Sequence, residues 1–272
     1  MSKNNFVLIR GGGDLATGVA LRLHRAGIRV VISELAQPLA VRRTVSFSEA
    51  VYEGQHTVEG VTARLIEAHQ LSAWNEADEI PIVIDPNADI LSSFIFPVVI
   101  DARLTKQPPA PLPVDVPLHI GLGPGFTAGS DCHAVIETRR SHTLGRVYWT
   151  GTTQPDSGEP EGDPRRVLRA SCDGVVIGYK KIGEHVEAGE EIAIISEPNS
   201  DQYSVISPFA GILRGLIRDG LHVTKGVKIG DIDAHDDVSV CYLVSDKALA
   251  IGGAVLEAIM SKVVIRELFF LS

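Results

Sequence analysis

Gly11, Gly13 and Ala16, in the stretch FVLIRGGGDLATG from Phe6 to Gly18, have types and a spacing that could do chemistry. They satisfy G-x-G-x-x-[G/A], follow an apolar run and open a helical pattern, which is the context a dinucleotide-binding turn requires. The first glycine permits a tight turn and the second lets a pyrophosphate approach the backbone. The small third residue lets helix and strand pack closely. Free N–H groups at the helix start would face the anion, helped by a helix dipole worth roughly 0.3–1 kcal/mol to an exposed anion. Glu34 stands about 20 residues on, where an acidic side chain can bind a ribose hydroxyl. Arg10 and Asp14 flank the glycines and can form a local salt bridge or select another guest. The candidate binding set is Arg10, Gly11, Gly12, Gly13, Asp14, Leu15, Ala16 and Glu34. Gly13 and Gly18 also have the G-x4-G spacing of a P-loop. Val19 and Ala20 follow instead of Lys and Ser/Thr, so the groups for β/γ-phosphates and Mg²⁺ are missing.

Other polar residues carry weaker signals. Asp85 and Asp101 end apolar runs, where open α/β sheets bind ligands, although Asp85-Pro86-Asn87 also reads as a turn. Arg42 and Arg43 could grip a phosphate or carboxylate, or form a solvated pair. Cys132, His133 and His142 fit no zinc spacing, so no metal is expected. No Tyr-x-x-x-Lys or comparable pair marks a catalytic residue.

These residues need elements to hold them. Phe6–Ile9, Arg29–Ser33, Pro81–Asp85 and Pro97–Asp101 read as buried strands. Leu15, Val19, Leu23 and Ala26 recur at helical spacing before Gly27. Ala88–Ile95 predicts a short helix, and Ser46 with Glu49 has capping-box spacing before another that ends at Gly54. Alternating strands and helices argue for a parallel sheet. Five prolines in Lys106–Pro117 suggest an extended crossing segment, followed by a crowd of glycines from Gly121 to Gly129 and a strand over Cys132–Glu137. Thr152–Pro164 reads as an exposed loop. Val238–Val244 predicts a strand, and Asp246–Met260 a helix capped by Ser245. Gly252 and Gly253 inside that helix signal close packing.

Arg169–Ile195 repeats as Ile206–Ile232 at an offset of 37 residues, matching at Gly174/Gly211, Gly183/Gly220, His185/His222, Val186/Val223, Gly189/Gly226 and Ile192/Ile229. Two short β halves cannot each bury a core, so they should interlock. G-x-x-V-x-x-G-x-x-I at Gly183–Ile192 and Gly220–Ile229 resembles the biotinyl/lipoyl-like family, a barrel-sandwich of two halves. That family's carrier lysine would sit between the halves. Here Glu197–Tyr203 holds none, so no biotin or lipoate is expected and a structural or docking role is. His185 and His222 read as surface turn residues.

A hydrophobic fraction of 44% is enough for a core. The net charge of -9 argues against nucleic acid or an anionic membrane as the main partner. Three scattered cysteines and no visible signal peptide fit a cytoplasmic protein. No segment is long enough to span a bilayer.

IRGGGDLATGVA, PLAVRRTVSFSEAVYEG, IGLGPGFTAGSDCHAVIETRR, RGLIRDG, KIGDID and SDKALAIGGAVLEAI together resemble the YqeB family, accessory proteins of selenium-dependent molybdenum hydroxylase systems. The first part also resembles xanthine dehydrogenase maturation factors. The expected fold is α/β: an N-terminal Rossmann-like parallel sheet over residues 1–105, a Pro/Gly-rich connecting β segment over 106–164, a biotinyl/lipoyl-like barrel-sandwich over 165–234, and a strand and helix over 235–272. The resemblance implies an accessory or maturation protein for a molybdenum hydroxylase client, handling its molybdenum cofactor or supplying selenium or sulfur. The glycine turn's expected guest is an NAD-like or molybdopterin dinucleotide, and the chain is compatible with a homo-oligomer. An NAD-dependent oxidoreductase and a non-catalytic scaffold are the alternatives.

Overall fold

The computed structural model describes residues 5–158, 162–197 and 201–270. The chain packs as two units. The first comprises Met1–Pro38, Ser46–Asp156 and Val244–Ser272, the second Leu39–Val45 and Ser157–Leu243.

In the first unit the strands are β1 (Val7–Arg10), β2 (Val30–Glu34), β3 (Gln55–Val58), β4 (Val61–Leu65), β5 (Glu79–Ile84), β6 (Val98–Asp101), β7 (Leu118–Leu122), β8 (Thr127–Ala128), β9 (Ala134–Ile136), β10 (Val147–Tyr148) and β11 (Gly151–Thr152). Nine of them form one sheet in the order β10-β9-β7-β6-β1-β2-β5-β4-β3, and β8 pairs with β11 separately. The strands from β9 across to β4 are all parallel, while β10 and β3 run antiparallel at the two edges. β1 is central and buried throughout. From β1 the chain builds outward through β2, then crosses back to place β6 on the other side. The β1/β6 junction is therefore a topological switch point, and ligands of open parallel sheets gather outside such carboxyl ends.

The helices are α1 (Asp14–Arg25), α2 (Ala50–Glu53), α3 (Asp246–Met260) and α4 (Val263–Phe270). α1 buries the stripe Leu15, Ala16, Val19, Ala20 and Leu23. Asp14 in its first turn and Arg22, His24 and Arg25 in its last complement the helix dipole. α3 packs on α1, β9 and β10. Its N-cap Ser245 accepts the Ala248 N–H at 3.2 Å. The two helices touch through glycine: a Cβ on Gly252 would lie 2.6 Å from the Gly18 carbonyl oxygen. The signal at Gly252 and Gly253 thus marks a helix–helix contact. Phe6, Leu8, Val31, Val83 and Val99 turn to the opposite face and pack with Leu71, Ile90, Leu91 and Phe96, covered in part by Leu112 and Val116 of the proline-rich segment. No described helix is long and apolar enough to cross a membrane alone.

The expected Rossmann-like parallel sheet is corrected. The sheet is mixed, and the 106–164 segment supplies its strands β7, β9 and β10. Of the crossovers between neighbouring parallel strands, β1 to β2 carries a full helix, whereas the expected helix over Ala88–Ile95 is a 3-10 turn over Asp89–Ser92. Prolines at 108–117 deny the β6–β7 crossover the N–H donors a helix needs. The two faces of the sheet are consequently covered differently.

The second unit holds β12 (Val167–Arg169), β13 (Gly174–Gly178), β14 (His185–Val186), β15 (Glu191–Ser196), β16 (Gln202–Ile206), β17 (Gly211–Leu216), β18 (His222–Val223) and β19 (Lys228–Asp233). They form two four-stranded antiparallel sheets, β12-β19-β17-β14 and β16-β15-β13-β18. Each repeat lends its short strand to the other: β14 pairs with β17, and β18 with β13. A self-contained biotinyl/lipoyl-like barrel-sandwich over 165–234 is nonetheless corrected. The unit is two separate antiparallel sheets, and it recruits a distant strap, residues 39–45, besides residues up to 243. Arg42 Nη2 donates to the Val240 and Leu243 carbonyls at 2.9 and 3.0 Å, and Arg43 Nε to that of Leu216 at 2.8 Å. Neither arginine is a solvated pair member. The turn at Glu197–Tyr203 lies partly outside the described residues. His185 and His222 are exposed on β14 and β18.

Two local expectations change. Val238–Val244 is a 3-10 turn over Val238–Cys241, because Asp237 caps the Ser239 N–H at 2.9 Å. Cys241 and Val244 are buried while Val238 and Leu243 are exposed, a spacing of three that a strand cannot produce. Ser46 precedes a 3-10 turn over Phe47–Glu49 and makes no side-chain cap there.

Candidate functional site

The glycine turn joins β1 to α1 at the carboxyl edge of the sheet. Gly11 has φ +94°, which a side chain would strain. A Cβ at Gly12 would lie 3.0 Å from the Ser48 nitrogen, whose N–H donates to the Gly12 carbonyl at 2.8 Å. Thr17 fastens the same contact: its hydroxyl donates to the Gly13 carbonyl at 3.0 Å and accepts the Phe47 N–H at 2.9 Å. Gly13 caps α1 without a side-chain bond, and a Cβ there would meet nothing within 4 Å. Leu15 and Ala16 are buried and pack the helix start.

Two main-chain N–H groups of this turn, and that of Leu35 beside Glu34, have carboxylate acceptors. Glu34 Oε1 takes the Gly12 N–H at 2.9 Å and its Oε2 takes the Leu35 N–H at 2.5 Å. Asp14 Oδ1 takes the Leu15 N–H at 2.9 Å. Burial raises the Glu34 pKa above the usual carboxylate value, and the Leu35 and Gly12 N–H groups only partly oppose it. Of the two readings of Arg10 and Asp14, the local salt bridge between them does not form. Arg10 is buried and faces Asp101, in register on the neighbouring β6, at 3.3 Å. Asp101 is fully buried and also takes Arg103 Nη2 at 2.5 Å and Nε at 2.9 Å. Burial pulls the Arg10 pKa down against the pull of Asp101. Asp85 serves the turn: its carboxylate accepts the Asp89 and Ile90 N–H groups at 2.8 and 3.0 Å.

Sequence reasoning missed Ser48, Thr17 and Arg103. The Ser48 side-chain oxygen is buried beside Gly12 without a hydrogen-bond partner. Nothing in the spacing of residues 10–16 points to it. Cys132, His133 and His142 form no metal cluster, and none of three or more His, Cys, Asp or Glu side chains occurs among the described residues. Burial pushes the Cys132 thiol up to about 11, so it is a protonated thiol donating to the Ala134 carbonyl.

The chain is 45% identical over 264 residues to the uncharacterized protein YqeB of Escherichia coli (strain K12). Along nearly its whole length, the chain is similar to that protein. The match covers 95% of the chain and 48% of the relative, so the chain spans about half the length of that curated YqeB. The match supports the YqeB resemblance read from the motifs. No family model matches. Similar solved structures include the apo ectoine utilization protein EutE (DoeB) from Ruegeria pomeroyi, with 8% identity, TM-score 0.27, and coverage of 84% of this chain and 86% of that one. An aspartoacylase family protein from Mesorhizobium loti has 10% identity and TM-score 0.27, covering 84% of each chain. Their low TM-scores carry no argument about this chain's activity.

Proposed function

We propose that the chain is an accessory protein for maturation of a molybdenum hydroxylase, holding a dinucleotide-type ligand at the glycine turn without transforming it. The observation that carries the ligand half is the open space over Gly13, at a helix start with no side-chain cap. Three features support it. The unpartnered Ser48 hydroxyl lies beside the turn. Leu35, next to Glu34, and Ile84, which faces Glu34 in register, are 47% and 48% exposed and leave apolar surface near the turn. Arg10 and Arg103 bring two positive charges to the same edge. The accessory half rests on the YqeB resemblance. A holding role fits because the ionisable groups at the turn are engaged: Arg10, Asp101 and Arg103 with one another, Asp14 and Glu34 with main-chain N–H groups.

Glu34 and Asp14 occupy N–H groups that phosphate oxygens would take, so an anion must displace carboxylates. Glu34 has a raised pKa, and protonation weakens it as an acceptor and removes its repulsion. Dinucleotide affinity should therefore rise as pH falls from 8 toward the raised Glu34 pKa. Calorimetry with NAD checks this, alongside native mass spectrometry of freshly purified protein for a retained pterin dinucleotide. Glu34→Gln should flatten the pH dependence. Gly13→Val should abolish binding while leaving the fold intact, since its side chain enters open space. Protein that retains no dinucleotide and gives a flat titration at every pH removes the ligand half. Unchanged metal content of every co-expressed hydroxylase removes the accessory half.

A further inference from the structure

The chain leaves the carboxyl end of β6 through residues 102–107, and glycines from two loops pack against this short segment. A Cβ on Gly11 of the glycine turn would lie 3.5 Å from Arg103 Cα, and one on Gly125, in the loop after β7, 2.6 Å from the Gln107 carbonyl oxygen. Within the segment Leu104 and Lys106 have φ +55° and +61°, a left-handed conformation that is uncommon outside glycine. Such positions persist where the surrounding structure over-determines them, and they cluster at active sites and ligand clamps. Here the two glycines let main chain approach from both sides and hold the strained segment in place.

The segment carries Arg103. Asp101, fully buried at the end of β6, accepts its Nε at 2.9 Å and its Nη2 at 2.5 Å, and accepts Arg10 Nη1 at 3.3 Å. Two guanidiniums share one carboxylate, so the three groups together are positively charged. That charge sits at the β1/β6 switch point, where open parallel sheets bind ligands. The two arginines differ in access. Arg10 is buried, whereas the Arg103 side chain is 31% exposed. Asp101 takes the Nε and Nη2 edge of Arg103, and the remaining nitrogen, Nη1, has no hydrogen-bond partner among the described residues. The guanidinium is planar, so a pair made through two nitrogens fixes the plane in which the third lies. Asp101 thereby orients the remaining donor of a solvent-accessible cation that starts beside Gly11.

We propose that Arg103 is the specificity-determining residue of the glycine-turn site: its Nη1 grips a phosphate oxygen of the bound ligand, and Asp101 is the positioning residue behind it. The inference rests on the reading of the turn as a dinucleotide-type site. It names the contact that selects a phosphate-bearing ligand over a bare nucleoside.

The test is calorimetry of the full chain with inorganic pyrophosphate, NAD and adenosine. Pyrophosphate and NAD should bind, and adenosine should bind far more weakly. Arg103→Gln should lower the affinity for both phosphate-bearing probes by about tenfold or more, the loss of one charge-assisted hydrogen bond. Arg103→Lys keeps the charge without the fork and should recover only part of that loss. A measurement on the unaltered protein covers the case that a variant does not fold: phenylglyoxal modification of Arg103, followed by peptide mass spectrometry, should be slowed by pyrophosphate and not by adenosine. Modification that proceeds equally fast under saturating pyrophosphate overturns the proposal, as does affinity unchanged in Arg103→Gln or fully restored in Arg103→Lys. Pyrophosphate bound through Arg103 by a protein that ignores NAD supports the assignment and removes the dinucleotide reading. NAD bound equally by the Arg103 variants removes the assignment and leaves that reading standing. A protein that binds neither probe overturns both.

Discussion

His119 shows how burial alone sets a charge state. Its ring sits at about 4 in the fold, against about 6.5 for an unperturbed histidine. Between those values the unfolded chain binds the proton and the folded chain does not. Stability from this group is therefore complete above the unfolded value and lost as pH falls toward 4. The gap corresponds to about 3 kcal/mol at roughly 1.4 kcal/mol per pH unit. The unfolding free energy of the protein, relative to His119→Gln, should thus drop by about that amount between pH 7 and pH 4 in urea titrations. A difference that stays level would show that the ring is protonated in the fold. Sequence could not reveal this residue, because a lone histidine in a strand carries no sign of what will cover it. The turn residues fared differently. Gly11, Gly13, Ala16 and Glu34 were legible from type and spacing, since a strand–glycine–helix junction is a local motif. The contacts of Gly12 with Ser48 and of Arg10 with Asp101 were not, because pairs 36 and 91 residues apart depend on sheet order.

At the scale of elements, the α1–α3 contact separates two adjacent glycines that look alike in sequence. A Cβ on Gly252 would sit 2.6 Å from the Gly18 carbonyl oxygen, whereas a Cβ on Gly253 would meet nothing within 4 Å. Gly252→Ala must push two helix backbones apart, and overpacking of this kind costs about 1–3 kcal/mol, more than the gain in helix propensity. Gly253→Ala keeps only the propensity gain, about 1 kcal/mol. Thermal or urea unfolding should show opposite signs for the two, and equal signs would refute the close crossing. Helices α1 and α3 and the runs IVID and VVID were readable because their apolar patterns are long or unbroken. β7 and β9 were not read as members of the main sheet, since prolines and glycines on either side mask a strand that is parallel only through tertiary pairing. The 238–244 segment was misread because the five apolar residues Val240–Val244 in a row look alike at period two and period three. Only the capping Asp237 and the burial of Cys241 and Val244 distinguish them.

At the scale of the whole molecule, the packing units do not follow the order of the chain. The first unit is assembled from three segments, and the second borrows residues 39–45 from between β2 and the 3-10 turn at Phe47. A boundary of this kind is invisible to composition, because seven residues are too few to shift it. The second unit should consequently depend on the strap. Val41 lies over Gly215, where a Cβ would come within 2.9 Å of it, and Arg42 and Arg43 hold the carbonyls of Val240, Leu243 and Leu216. Hydrogen bonds from a charged group contribute roughly 1.5–3 kcal/mol each. Losing both arginines should lower the local opening free energy by about 3 kcal/mol, or about two orders of magnitude in exchange rate. Arg42→Ala/Arg43→Ala should therefore speed amide hydrogen exchange in β17, β19 and residues 238–243 by about a hundredfold. β1, β2 and β6 should keep their protection, since the first unit's core is built without the strap. Acceleration spread evenly over both units would mean that they open together, and the strap would then belong to a single cooperative fold.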